Sequence, residues 1–308
     1  MNTGDTAWVL TSAVLVLGMT IPGLAFFYGG LVRRKNVLSI LMQCFIIVCV
    51  ISLQWVLFGY SLAFGPDTGW GIIGSLKWAG LNFVGGQPNA DYAATIPHQA
   101  FMIFQAMFAV ITPALIIGAF AERMKFSAFL LFTLLWATLV YDPLAHWVWG
   151  TGGWLRNLGA LDFAGGIVVH VSSGVSALTL AILLGERCGY DQQPFRPHNL
   201  PFTVLGAALL WFGWFGFNAG SALGANELAA NAFITTHIAS ADGLLFGNPR
   251  QLLVQFLLIV ITPLFAAGMT WLIYKVVDGL VGMRVEKKDE IVGLDLTQQS
   301  ESAYTVIE

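Results

Sequence analysis

The sequence predicts an all-α fold, a polytopic integral membrane helix bundle, on three observations. Of 308 residues, 57% are hydrophobic and only 10% charged, with a mean hydropathy of +0.75. Soluble domains carry about 25% charged residues, so this chain belongs in a bilayer. Its apolar residues fall into seven runs, near 6–32, 38–64, 97–121, 126–149, 163–185, 201–222 and 251–283. Each is long enough to cross a hydrocarbon core of about 30 Å. If all seven span, Arg33, Arg34, Lys35, Arg123, Lys125, Arg187, Arg196, Arg284, Lys287 and Lys288 share one side. Lys77, Arg156 and Arg250 fall on the other, which predicts an outside N-terminus and a cytoplasmic C-terminus.

The first run is longer than the apolar part of a signal peptide, and its basic cluster follows it. It reads as a retained span. A Gly-rich connection, 65–95, separates the second run from the third. Pro97 and Pro201 stand where a helix's first turn needs no amide donor. Before the fifth run, Asp162 occupies an N-cap position, where a carboxylate meets free amides and the positive helix end. Within that run Gly166, His170 and Gly174 recur at i, i+4 and i+8, which predicts a close helix contact around one ionisable group. An ionisable residue at membrane depth marks a functional site by default. Residues 225–241 are apolar but interrupted by Glu227, Asn231 and His237. The charge asymmetry requires that 223–250 not cross, so this segment is expected outside or re-entrant. The chain then divides into a transmembrane domain, 1–284, and a polar cytoplasmic tail, 285–308.

Composition also excludes functions. A net charge of −3 argues against nucleic-acid binding. Cys44, Cys49 and Cys188 are too few and scattered for a disulfide frame or a metal site, and no cofactor is expected. Gly174-Val175-Ser176 imitates a nucleophile turn, but a continuous spanning helix offers Ser176 no sharp bend, so no enzyme is expected.

A rise of 1.5 Å per residue places His170 roughly 12 Å below the outer helix end. Trp149 ends the fourth run at that surface. Phe104 and Phe108 lie i, i+4 on the third, and Gly213, Phe217 and Ser221 form a stripe on the sixth. Read downwards, the order is Trp149, Ser221 and Phe104, then Phe108 and Phe217, then His170. Aromatic faces attract a cation by about 0.5–2 kcal/mol each, so the upper group reads as a cation vestibule above a constriction.

Longer motifs then carry a resemblance. Asp162-Phe163-Ala164-Gly165-Gly166 with Val169-His170, the stretch Trp211-Phe212-Gly213-Trp214-Phe215-Gly216-Phe217-Asn218-Ala219-Gly220-Ser221, and Ala225-Asn226-Glu227-Leu228 resemble the Amt/Mep/Rh ammonium transporters. So do Gly118-Ala119-Phe120-Ala121-Glu122-Arg123, His146-Trp147-Val148-Trp149, Pro197-His198-Asn199-Leu200-Pro201 and Gln251-Leu252-Leu253-Val254-Gln255. The resemblance implies that Trp149, Phe104 and Ser221 recruit ammonium. It also implies that Phe108 and Phe217 gate the pore, that His170 is the first of two pore histidines, and that Asp162 supports the site. It further implies a homotrimer in the plasma membrane, in contact with lipid, and a PII-type signalling partner on the cytoplasmic face.

The chain departs from that family in one large respect. Members have about eleven helices, whereas here the seventh breaks off near 239–242, and the following residues already resemble the approach to the last helix. Counterparts of helices eight to ten are missing, and the second pore histidine with them. His237 resembles a histidine of the family's seventh helix and does not replace it. An ammonium/ammonia transporter is the implied function. A non-transporting membrane subunit or remnant is the alternative that the missing half-repeat suggests.

Overall fold

The computed structural model describes residues 1–192, 194–238 and 249–304. Seven helices are long and apolar enough to cross a membrane: α1 (Thr3–Leu31), α2 (Arg34–Phe64), α3 (His98–Phe120), α4 (Phe126–Leu158), α5 (Gly166–Leu184), α6 (Leu200–Gly220) and, from Leu253, α8 (Pro249–Val281). The short α7 (Glu227–Ile238) lies between the last two. The seven expected runs are recovered within a few residues, and the described residues hold isolated bridges but no strand. The predicted junction at 239–242 lies outside the described residues.

Local chemistry explains the helix ends. Asn2 caps α1, its side chain accepting from the amides of Gly4 at 2.8 Å and Asp5 at 3.1 Å. Non-helical Ile21 kinks α1 before Pro22, whose ring removes a donor. Pro97 is the cap residue of α3, just outside its first turn, and Pro201 falls within the first turn of α6. The main rod of α4 stops at Trp149, and Trp154–Leu158 forms a separate turn after a break at 150–153.

Burial sorts the rods. Of the most apolar window of α3, 83% is buried, against 22% for α6 and 28% for α8. Thus α3 is the central post, while α6 and α8 leave most of that window exposed.

The two ends differ in chemistry. At one end the basic loops meet: Arg33 binds Glu122, Arg123 donates to the Gly185 carbonyl, and Arg284 donates to Leu184 at 3.0 Å. At the other, the 65–97 connection packs on α4, Trp149 reaches Asp162, and Ala225 donates its amide to Asp5.

The tail folds back: Lys287–Val292 and Leu294–Gln299 form helices α9 and α10 against the basic end. Asp295 accepts from the amides of Leu38 and Ser39, and Asn36 accepts from that of Leu294, so buried polar ends of α2 and the tail satisfy one another. Two expectations need correction. First, the close helix contact expected around Gly166 and Gly174 is not formed among the described residues: a side chain at Gly174 would meet nothing within 4 Å, and one at Gly166 only Asp162 at 3.7 Å. Secondly, α5 begins at Gly166, four residues before His170, so the histidine lies about 6 Å below the helix start rather than 12 Å.

The segment after α6 runs back alongside it. Phe215 packs on Phe233 at 4.4 Å, Trp211 stacks on His237 at 5.4 Å, and Asn218 donates to Thr236 at 3.0 Å. Both the start of α7 and the start of α8 lie at the Trp149 end, since Gln255 donates to the Leu161 carbonyl.

Candidate functional site

The site is built where α3, α4, α5 and α6 converge at the end opposite the basic loops. Trp149 is the last residue of the α4 rod, and its indole Nε1 donates to the Asp162 carbonyl at 2.7 Å. That bond fixes the ring beside the entry to α5.

Asp162 caps α5 from outside rather than from the N-cap position, which Gly165 fills with φ 92°. Only a residue without Cβ takes that left-handed conformation at no cost. The turn brings the amides of Gly165, Ile167 and Val168 onto the Asp162 carboxylate, each at 2.9 Å. Burial pushes its carboxyl up from the ordinary range, while the amides of Val168, Ile167, Gly166 and Gly165 pull towards the ionised form.

A cavity of about 260 Å³ opens here, lined by Phe108, Trp149, Asp162 and Ser221 among others. Phe104 stands behind that wall: it is fully buried, with its ring edge-on to Phe108 at 5.1 Å and close against Gly220. The Ser221 hydroxyl donates to the Phe217 carbonyl at 2.8 Å, one turn back along its own strand of chain.

Phe108, in the cavity wall, meets Phe217 with ring centroids 4.3 Å apart and planes tilted by 35°. Both are 1% exposed. His170 lies against Phe217 at 5.8 Å and stacks on Trp214 at 5.6 Å, 19° from parallel. Its Nδ1 is 3.1 Å from the Gly165 carbonyl, which the wide turn at Gly166–Val171 leaves within reach. Since a carbonyl only accepts, Nδ1 is the donor of that contact.

Sequence reasoning missed several members. Asp91, Tyr92, Gln105 and Arg156 also line the cavity. Asp91 and Tyr92 sit in the long connection, where no periodicity signals position. Arg156 was read only as a topology charge. Trp214 belongs to a quoted motif, but its stacking on His170 depends on how α5 and α6 cross. Ser176 is spoken for: fully buried, it accepts from Trp136 Nε1 and pairs with Thr270, both at 2.9 Å.

An all-helical bundle with seven helices long and apolar enough to cross a membrane defines the class, a polytopic membrane protein. The chain belongs to the ammonium transporter family, whose family model, described as Ammonium Transporter Family, matches residues 7–247 and 240–304. It is 59% identical over 244 residues to the ammonium transporter of Bacillus subtilis, covering 79% of this chain and 59% of that protein. With ammonium transporter Amt1 of Archaeoglobus fulgidus it shares 37% identity over 404 aligned positions, covering 99% of this chain and 100% of its relative. A double mutant of Mep2 from Candida albicans superposes with a TM-score of 0.84 at 25% identity, over 100% of this chain and 94% of that one. The chain thus covers less than two thirds of the first of these relatives and is shorter than the full-length proteins.

Proposed function

We propose that this chain is a plasma-membrane ammonium/ammonia transporter that recruits ammonium at the Trp149 cavity. The observation that carries the reading is the vertical series of cavity, Phe108–Phe217 pair and His170. Moving an ammonium-sized ion into a medium of low dielectric costs about 20 kcal/mol in the idealised Born limit. Aromatic faces return only about 0.5–2 kcal/mol each. The ion therefore leaves its proton with water in the cavity above the phenylalanine pair, and uncharged ammonia passes on to meet the His170 imidazole. Trp149, Ser221 and Phe104 shape the recruitment site, Phe104 by holding Phe108 in place. The Asp162 carboxylate orders the α5 entry and adds negative charge beside the cation.

The Trp149 end faces outwards and the basic end the cytoplasm, by the Lys/Arg asymmetry. A homotrimer, and a PII-type protein docking beside the tail, follow from the family relationship. So does an internal deletion near 239–242, which is supported by the two-piece family match and by 404 aligned positions against 308 residues.

The test is purified chain in proteoliposomes under an inward ammonium gradient, followed by internal pH and membrane current. Uptake above empty liposomes that His170→Ala abolishes supports transport. No uptake, with methylammonium binding retained, favours the alternative of a non-transporting subunit.

A further inference from the structure

Three charged side chains line the cavity: Asp91, Asp162 and Arg156. A guanidinium at the mouth of a site for cations needs a reason. Arg156 belongs to the turn Trp154–Leu158, which follows the break at the end of the α4 rod. Its Nη1 donates to the Trp149 carbonyl at 2.7 Å and to Thr151 Oγ1 at 3.2 Å. Its Nη2 donates to the Asp91 carbonyl at 3.2 Å, and the guanidinium lies 5.7 Å from the Tyr92 ring.

The fork therefore satisfies a carbonyl at the end of a helix and ties that helix to the long connection. None of these bonds engages a carboxylate, so the positive charge is held in place by neutral acceptors. Trp149 is pinned twice, by Arg156 at its carbonyl and by Asp162 at its indole.

We propose that Arg156 sets the charge selectivity of the vestibule, in addition to positioning Trp149. This rests on the reading of the cavity as a cation site. A fixed positive charge opposes every cation in proportion to its valence, so it shifts the vestibule away from a double charge and towards a single one. At about 7 Å in a water-like dielectric, the penalty on binding is about threefold for a monovalent cation and about sevenfold for a divalent one. Removing the charge improves divalent binding relative to monovalent by about threefold. Loss of positioning alone shifts both affinities together and leaves their ratio unchanged.

The experiment is equilibrium binding of radiolabelled methylammonium to the full chain in nanodiscs, with Mg²⁺ as competitor at fixed ionic strength. Arg156→Gln should raise the ratio of Mg²⁺ to methylammonium affinity by about threefold. Arg156→Lys keeps the charge but loses the fork, so it should leave the ratio at the wild-type value while weakening both. An unchanged ratio in Arg156→Gln, or no displacement by Mg²⁺ in either protein, overturns the proposal if Trp149→Leu still weakens methylammonium binding. If the wild-type chain binds no methylammonium, the vestibule reading falls, and this inference with it.

Discussion

Phe108 of α3 and Phe217 of α6 face one another at 4.3 Å, and His170 lies on the far side of Phe217 at 5.8 Å. The pair is a packing contact, and the proposed function makes it a seal as well. Truncating Phe217 to Ala should cost about 3–5 kcal/mol of stability, because the rings around it collapse only partly. The same change should let water reach His170. Thermal unfolding in detergent and proton leak across proteoliposomes are the two readouts. A tight membrane with Phe217→Ala would show that the pair packs without sealing.

Asp162 holds three amides of the α5 entry with one carboxylate. Asp162→Ala leaves them unpaired, at about 1–3 kcal/mol for a buried group that loses its partner. Asp162→Asn keeps one acceptor oxygen and should lose less. Comparing unfolding temperatures of the two variants decides whether the cap or the charge matters more.

Glu122 predicts a dependence on pH. Its side chain is fully buried and meets the backbone amide of Arg33 at 2.7 Å, Arg33 Nε at 2.9 Å and Arg187 at 3.4 Å. Burial alone would raise its pKa, but the bonds and charge of Arg33 outweigh it and hold the carboxyl below the usual range. A depressed carboxyl stabilises the fold above its unfolded value, about 4.3, and loses that contribution as pH falls through the lower folded value. Glu122→Gln should therefore cost about 1.5–3 kcal/mol at pH 7, since its charged hydrogen bonds are lost while Arg33 keeps part of its hydration. Chemical unfolding at neutral and strongly acid pH should show the gap between variant and wild type narrowing with acid.

Asp295 fastens the tail to the start of α2. Asp295→Ala removes a cap worth about 0.5–2 kcal/mol. Limited proteolysis should then cut within 286–304 sooner, while the bundle survives intact. Equal cleavage rates would place the anchoring elsewhere, at Lys35 or Tyr304.

Orientation is open to labelling on a cysteine-free background. Lys288 and Asn82 are both exposed, at opposite ends. Lys288→Cys should react only from the cytoplasm and Asn82→Cys only from outside. Reaction from the reverse side at either position sinks the assigned topology.

The sequence by itself determined the seven spans, the one-sided basic charge and the motif residues at the site. These are local properties: hydropathy over about 20 residues and helical spacing need no knowledge of neighbours. It also grouped Phe108, Phe217 and His170, whose rings do meet, although the depth counted for His170 was twice the about 6 Å found. Tertiary structure decided what each of these touches. Phe104 stands behind the cavity because α3 turns that face towards Gly220, and Arg156 lines it because a five-residue turn folds back onto Trp149. Asp91 and Tyr92 reach the cavity from a connection without periodicity, and the tail docks through bonds between residues more than 250 positions apart. Gly174 predicted a helix contact and faces open space, since a small residue permits close approach but does not supply the partner.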